Sequence, residues 1–312
     1  MFSLLQKQWF LIAIAAASLL GYIHPEWGTP IRDYDVIGFG VVLAFFVTGL
    51  SLETRGVLRQ ITSIRAPMAA VLSSLVLYPV LAWLISLPLL PYEFVIGVCI
   101  IGTAPVTVSS GTILTAIARG NVPLSILVCI STSFLAIFTI PMILNLLLSV
   151  GTDIELPVLG MVIGLVLKVL FPIVMGQMFR PFFKAAIKRY EHQMSIFQSC
   201  IIILIIFNVV SSSAEIIAKA GSVLIGITLF IVCLHFLILL LNYMIAGLIK
   251  LDRASTIAFT IHTSQKTLTV SYIVWAGYFS TEYPMAFIPA IICQLTQMTV
   301  GTFVAEFFKK SH

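Results

Sequence analysis

The chain has 312 residues, of which 60% are hydrophobic and only 9% charged, and its mean hydropathy is +1.12. Soluble domains carry about 25% charged residues, so this composition excludes a soluble globular protein and implies repeated membrane crossings. In that setting the basic excess, net +5, points to cytoplasmic loops rather than to nucleic acid.

A helix needs about 20 mostly apolar residues to cross the hydrocarbon layer. Ten segments meet that description, at 9–22, 36–52, 67–87, 93–117, 122–148, 156–179, 194–210, 222–249, 255–278 and 284–307. The first follows Lys7 and has the look of a leader, but no polar mature domain comes after it, so it reads as a first span. With the N-terminus in the cytoplasm, Arg32 and Lys219 are the only basic loop residues outside. Lys168 and Lys266 fall within spans, and every other Lys and Arg faces inward. The outer loops collect Glu26, Asp33, Asp35, Glu93, Asp153, Glu155, Glu215 and Glu282. Adding or dropping one span destroys this separation, so the sequence predicts ten spans with both termini inside, in a cell membrane of the bacterial inner-membrane type. The basic stretch 180–190 between spans six and seven reads as an interfacial connector.

Cys99, Cys129, Cys200, Cys233 and Cys293 lie in apolar stretches without metal-ligand spacing, and are expected to be small packing residues. No soluble domain is left over. The expected organisation is a single all-α membrane unit over 1–312, made of two five-helix halves, 1–151 and 152–312. An odd number of spans per half inverts the second copy, and inverted repeats with helices broken at matching places are a recurring transporter design.

The fourth span of each half carries such a break. In the first half it runs from Gly102 to Thr112, with Thr103, Pro105, Thr107, Ser109, Ser110, Gly111 and Thr112. Pro105 lacks an N–H and disfavours helix at Ala104, while the hydroxyls can satisfy the backbone that unwinding exposes. In the second half it is Thr260-Ile261-His262-Thr263-Ser264-Gln265-Lys266-Thr267. Half-helix ends at such breaks attract anions at the N-terminus and small cations at the carbonyl end. The alternative for either stretch is close packing by small residues.

Lys266 is the central residue of this pattern. A mid-span ammonium costs roughly 3 kcal/mol on insertion scales, so it marks a functional site by default. Its central place argues against snorkelling to the interface. His262, four residues earlier on the same helix face, is a candidate proton carrier. Lys168, in span six, could supply a second positive group, and Asn208 and Gln177 are candidates for a site or for interhelical hydrogen bonding.

The strings GTAPVTVSSGTILTAIARGN (102–121) and HTSQKTLTVSYIV (262–274) resemble the bile acid:sodium symporter superfamily, and more closely its sodium/bile acid cotransporter-like branch. The resemblance covers essentially the whole chain. It implies a core domain of spans three to five and eight to ten, a panel domain of spans one, two, six and seven, and crossing broken helices four and nine. It also implies alternating access, with an organic solute held between panel and core. In that superfamily two sodium ions bind behind the crossover. Carried over, their Ser-Asn pair falls on Ser109 and Ser110, a fifth-span hydroxyl on Ser125, with Cys129 where another is expected, the ninth-span glutamate on Thr260, and its glutamine on Ser264 beside Gln265. A polar residue of span ten falls near Gln297. Ser109, Ser110, Ser125 and Ser264 thus mark where sodium would sit. The neutralising glutamate is missing, however, and a nearby ammonium repels sodium.

Three roles for Lys266 follow. It could act as a tethered cation on Ser109, Ser110 or exposed carbonyls. It could pair with an anionic group of the solute, or it could exchange protons and couple transport to a proton gradient. The expectation is a secondary carrier for a small anionic organic solute, with sodium or a proton as the candidate coupling ion and no other cofactor. Lipid is the surrounding partner. The site is expected to draw on Thr107, Ser109, Ser110, Thr112, Ser125, Thr260, His262, Thr263, Ser264, Gln265, Lys266, Thr267 and Gln297. An intramembrane hydrolase using Ser110 with His262 or Lys266 is the enzymatic alternative, but no nucleophile-elbow pattern supports it. An ion exchanger is a third class, and the mid-span carboxylates it requires are missing.

Overall fold

The computed structural model describes residues 2–52, 64–108, 110–150 and 156–310, with side chains throughout except at residues 2–8 and 220. Ser109 and the loop residues Arg55, Arg59, Asp153 and Glu155 therefore lie outside the described residues. The described secondary structure is helical: α1 Phe2–Ile23, α2 Thr29–Asp33, α3 Val36–Ser51, α4 Arg65–Leu72, α5 Tyr78–Ser86, α6 Tyr92–Thr103 and α7 Ser110–Ile117 come first. They are followed by α8 Val122–Ser149, α9 Val158–Leu165, α10 Phe171–Ala220, α11 Ser222–Leu248, α12 Arg253–Thr263, α13 Leu268–Tyr278 and α14 Ile288–Lys310. Wider π-type turns, Ser73–Leu77 and Val166–Leu170, join α4 to α5 and α9 to α10 without a break.

By length and composition, five continuous helical stretches among the described residues can cross a membrane: Arg65–Ser86, Val122–Ser149, Val158–Lys219, Ser222–Leu248 and Pro284–Lys310. The first helix continues after Ile23 at an angle of 108° as Pro25–Asp33, while Val36–Ser51 and Tyr92–Thr103 are shorter apolar helices. Large apolar side chains such as Phe39, Leu159, Leu248, Phe303 and Phe307 are exposed, as a lipid-facing surface requires. The chain is an integral membrane protein with several apolar helices.

One element is defined more closely here and one expectation changes. The stretch 180–190 is helical and lies within α10, which turns at Phe183 and Tyr190, where the backbone leaves helical geometry. It joins the two expected spans as a largely exposed connector set off by these kinks. Cys200 and Cys233 are exposed, whereas Cys99, Cys129 and Cys293 are buried. An apolar run in a membrane protein has a lipid face as well as a core face, so hydrophobicity alone does not imply burial.

The chain divides into two compact units, one of Met1–Leu52, Gly164–Val223 and Ser280–Met285, the other of Glu53–Ile163, Leu224–Phe279 and Ala286–His312. In the first, α3 lies directly on α10. A Cβ on Gly49 would meet the Ile173 carbonyl oxygen at 2.2 Å, and one on Gly176 the Phe46 oxygen at 2.2 Å, so the two backbones touch through small residues. Gln177 donates from Nε2 to the Gly49 and Leu52 carbonyls at 2.5 and 2.7 Å, capping the end of α3.

The second unit holds both polar interruptions. Its helix ends are tied by side chains: Asn121 Oδ1 accepts from Leu124 N at 3.0 Å at the start of α8, and Asp252 Oδ1 accepts from Ser255 N at 3.0 Å at the start of α12. Such caps satisfy N–H groups that a helix start leaves open. An apolar cluster of Ala66, Ala70, Leu124, Val128, Ala258 and Phe259 packs α4, α8 and α12 together. Around Gly97, α6 approaches the segment before α14 so closely that a Cβ would lie 2.0 Å from the Ala286 carbonyl oxygen.

Candidate functional site

Pro105 and Thr267 bring the two interruptions together. Helix α6 stops at Thr103 and the chain becomes helical again at Ser110, while α12 stops at Thr263 and α13 begins at Leu268. Between them, Thr267 N donates to the Pro105 carbonyl at 3.0 Å, and Thr267 Oγ1 donates to the Val106 carbonyl at 2.8 Å. Unwound backbone in a membrane needs partners inside the protein, and here each break supplies them to the other.

Lys266 is fully buried, at 0% exposure. Its Nζ donates to the Ser74 carbonyl at 2.6 Å, to Ser74 Oγ at 3.1 Å and to the Ala104 carbonyl at 2.9 Å. The ammonium also lies 4.5 Å from the centre of the Tyr78 ring, within cation–π range. Both carbonyls are open, one through a proline and one through a helix end. In the π-type turn Tyr78 N bonds to the Ser73 carbonyl, and the next residue, Pro79, has no N–H to offer Ser74. Ala104 precedes Pro105 and is the last residue before the first break, so no helical N–H reaches its oxygen. Ser74, Tyr78 and Pro79 are the surroundings of Lys266 that sequence reasoning missed. The signal was present as a Ser73-Ser74 pair followed by Pro79 in the middle of an apolar span.

The main chain of Lys266 is held as firmly as its side chain. Gln297 Oε1 accepts from Lys266 N at 2.7 Å, and Gln297 Nε2 donates to the Lys266 carbonyl at 2.8 Å and to Gln294 Oε1 at 2.8 Å. Gln265 Nε2 donates to the Gln297 carbonyl at 3.1 Å.

His262 forms a second strap between the breaks. Its Nε2 donates to the Thr107 carbonyl at 2.7 Å, and its Nδ1 pairs with Ser125 Oγ on α8. Ser125 Oγ also reaches Thr112 Oγ1 at 3.3 Å. The imidazole rests on Gly111, where a Cβ would come within 2.4 Å of its Cδ2. Thr107 Oγ1 and Ser110 Oγ are 2.7 Å apart, Gly111 N donates to Thr107 Oγ1 at 3.1 Å, and Ser110 Oγ donates to Gln265 Oε1 at 3.4 Å.

Of the other residues read from sequence, Ser264 Oγ donates to the Ile261 carbonyl at 2.8 Å within its own helix turn. The Thr260 and Thr263 hydroxyls are buried without a partner among the described residues. Lys168 and Asn208 belong to the first unit, where Lys168 is exposed and Asn208 is buried with its Oδ1 unpaired among the described residues. The Ser110 dyads do not form: Ser110 meets Thr107 and Gln265, the hydroxyl at His262 is that of Ser125, and Lys266 faces Ser74 and Ala104. Among the described residues, no group of three His, Cys, Asp or Glu side chains converges.

Paired helix breaks bonded to each other around a buried lysine, in an apolar helical chain, are the features of a membrane carrier. The chain belongs to the SBF-like CPA transporter family, matched over residues 8–310. Among its relatives are Sodium/bile acid cotransporter 7-B of Xenopus laevis, 26% identical over 98% of this chain and 92% of the relative, and the uncharacterized sodium-dependent transporter YocS of Bacillus subtilis (strain 168), 26% identical over 97% and 91%. A third is the probable sodium/metabolite cotransporter BASS4, chloroplastic, of Arabidopsis thaliana, 24% identical over 93% of this chain and 70% of the relative. The protein is a secondary transporter, not an enzyme.

The names of these relatives invoke sodium, and several of the oxygens at the crossing are already engaged. Ser74 and Ala104 oxygens are taken by the Lys266 ammonium, the Thr107 carbonyl and Ser125 hydroxyl by His262, and the position carried over as a glutamate is the neutral Thr260. A sodium ion placed about 4 Å from the ammonium would be repelled by about 4 kcal/mol at an effective dielectric of 20.

Proposed function

We propose that the chain moves a small organic anion across the membrane by alternating access. The supporting observation is the crossing itself, in which Thr267 bonds to Pro105 and Val106. This contact sets the start of α13 beside the chain that leaves α6, and at the start of α7 Ser110 Oγ donates to Gln265 Oε1 at 3.4 Å, two residues before Thr267. Helix N-termini carry partial positive charge and favour anionic groups. Ser110, Thr112 and Thr267 remain half-buried there, giving the crossing an accessible polar edge, while Lys266 and His262 lie sealed behind it. The names of the relatives, which cite bile acids and metabolites, support an organic solute.

In this reading the chain spans a cell membrane of the bacterial inner-membrane type ten times, as two inverted five-helix halves with both ends in the cytoplasm. The unit containing the crossing acts as the core, and the other as the panel.

The test is counterflow in proteoliposomes, which needs no assumption about the coupling ion. Vesicles preloaded with candidate anions (bile acids, then monocarboxylates and dicarboxylates) are given the same compound in labelled form outside. Exchange above that of empty vesicles, weakened by Thr267→Val, is the expected result. A panel in which no organic anion exchanges, with the protein shown to be folded by a cooperative thermal transition, overturns the proposal.

A further inference from the structure

We infer that the Lys266 ammonium is the resident cation of a monovalent-cation cage, so that this chain binds no sodium there and draws nothing from a sodium gradient through that site. For its consequence on coupling the inference rests on the carrier reading. The cage itself stands on geometry alone.

Four features define the cage. Two main-chain carbonyls, Ser74 and Ala104, turn their oxygens to one point at 2.6 and 2.9 Å from Nζ, and Ser74 Oγ adds a third at 3.1 Å. The Tyr78 ring closes another side at 4.5 Å. All belong to the second compact unit. The Ser74 carbonyl is left open by Pro79 and the Ala104 carbonyl by the end of α6, so neither has a helical donor to fall back on. Ala104 also caps α6, whose last turn has no basic residue, and the negative end of that helix favours a cation at this point. Neutral oxygens and an aromatic face suit a single positive charge and offer no carboxylate to a second one.

Lys266 supplies that charge and cannot leave with it. Gln297 grips both the N–H and the carbonyl of its peptide units, fixing the root of the side chain. A free ion would enter, bind and dissociate with each cycle, and its concentration on either side would bias the equilibrium. A tethered ammonium has no concentration to bias it. Removing the side chain back to Cβ should therefore expose a vacant cage able to take sodium, potassium or methylammonium.

The experiment compares the purified full chain with Lys266→Ala and Lys266→Met in detergent. It follows thermal unfolding by tryptophan fluorescence in NaCl, KCl, methylammonium chloride and choline chloride at equal ionic strength. The unsubstituted chain should show the same Tm in all four. Lys266→Ala should unfold at a lower temperature in choline and recover by about 2–4 °C in at least one of the small cations at about ten times its Kd. Lys266→Met, which refills the cage without charge, should recover in none. Equilibrium binding of radioactive sodium to the unsubstituted chain requires no variant to fold, and no saturable component is expected. Saturable sodium binding, or a sodium-specific rise in its Tm, overturns the inference, as does a folded Lys266→Ala that responds to no cation. None of these outcomes depends on solute exchange, so a failure of the carrier reading would show separately in the vesicles.

Discussion

Gln297 and Lys266 pair as two amides do. The Gln297 side chain accepts from Lys266 N at 2.7 Å and donates to the Lys266 carbonyl at 2.8 Å, replacing the helical partners that the break removes. A residue of α14 thus holds the unwound stretch between α12 and α13. Gln297→Ala leaves two buried main-chain groups unpaired, at about 1–3 kcal/mol each. The expected result is a Tm lower by roughly 5 °C or more. Gln297→Glu keeps the acceptor and loses the donor when ionised, so it should fall at least as far. An unchanged melting curve for Gln297→Ala would show that the clamp contributes nothing.

Gly111 is the seat of His262. A Cβ there would stand 2.4 Å from Cδ2 and 2.7 Å from Nε2 of the imidazole, closer than van der Waals contact permits. Gly111→Ala should push the ring off the Thr107 carbonyl at a cost of about 1–3 kcal/mol and reduce solute exchange together with Tm. His262→Ala in the same background should make the alanine tolerable. If the double variant is no more stable than Gly111→Ala alone, the clash lies elsewhere.

His235 on α11 is 1% exposed, and neither ring nitrogen has a partner among the described residues. A neutral imidazole with a buried N–H and no acceptor is destabilising by about 1–3 kcal/mol. His235→Leu, similar in volume and apolar, should therefore leave Tm unchanged or raise it. A drop of several degrees would mean that the ring makes a bond this arrangement does not contain.

Asp252 lies in the loop before α12, where hydrogen bonds from the side chain and backbone of Ser255 hold its carboxyl below the usual range. Its folded pKa is below its unfolded one, near 3.9. Its contribution is therefore complete above that value and is lost as pH falls through the folded pKa. Asp252→Ala should cost about 1 kcal/mol at pH 7, and the gap from the parent chain should close in acid below about pH 4. Melting curves across pH 3–7 test this, and a gap that stays constant throughout would disprove the carboxylate's role as the cap.

Much of the arrangement is legible from residue types. An apolar chain with 9% charged residues has only the membrane to fold in. Pro105 and the hydroxyls around it announce a broken helix because proline removes a donor, and because unwound backbone in hydrocarbon requires local oxygens and N–H groups. The run from Thr260 to Thr267 announces a second. A lysine in that second run, with no acidic residue in its span, is left with neutral oxygens, a solute anion or the loss of its proton.

Which oxygens those are could not be read along the chain. The expected partners are Ser109, Ser110 or carbonyls exposed at a break, and the Ala104 carbonyl is one of the last kind. Ser109 lies outside the described residues, while Ser110 turns to Thr107 and Gln265. The ammonium also reaches Ser74, 192 positions away. That choice depends on the extra width of the turn at Ser73–Leu77, which shifts the hydrogen-bond register by one and leaves Ser74 facing Pro79 without a donor. It depends also on the pairing of Thr267 with Pro105, which sets where the Lys266 side chain begins. Composition and local chemistry determined that this protein lives in a membrane, breaks two helices and buries a charge. Only the packing of α4, α6, α12 and α14 decided what that charge is bonded to, because a carbonyl's availability depends on its hydrogen-bond register, which residue identity leaves open.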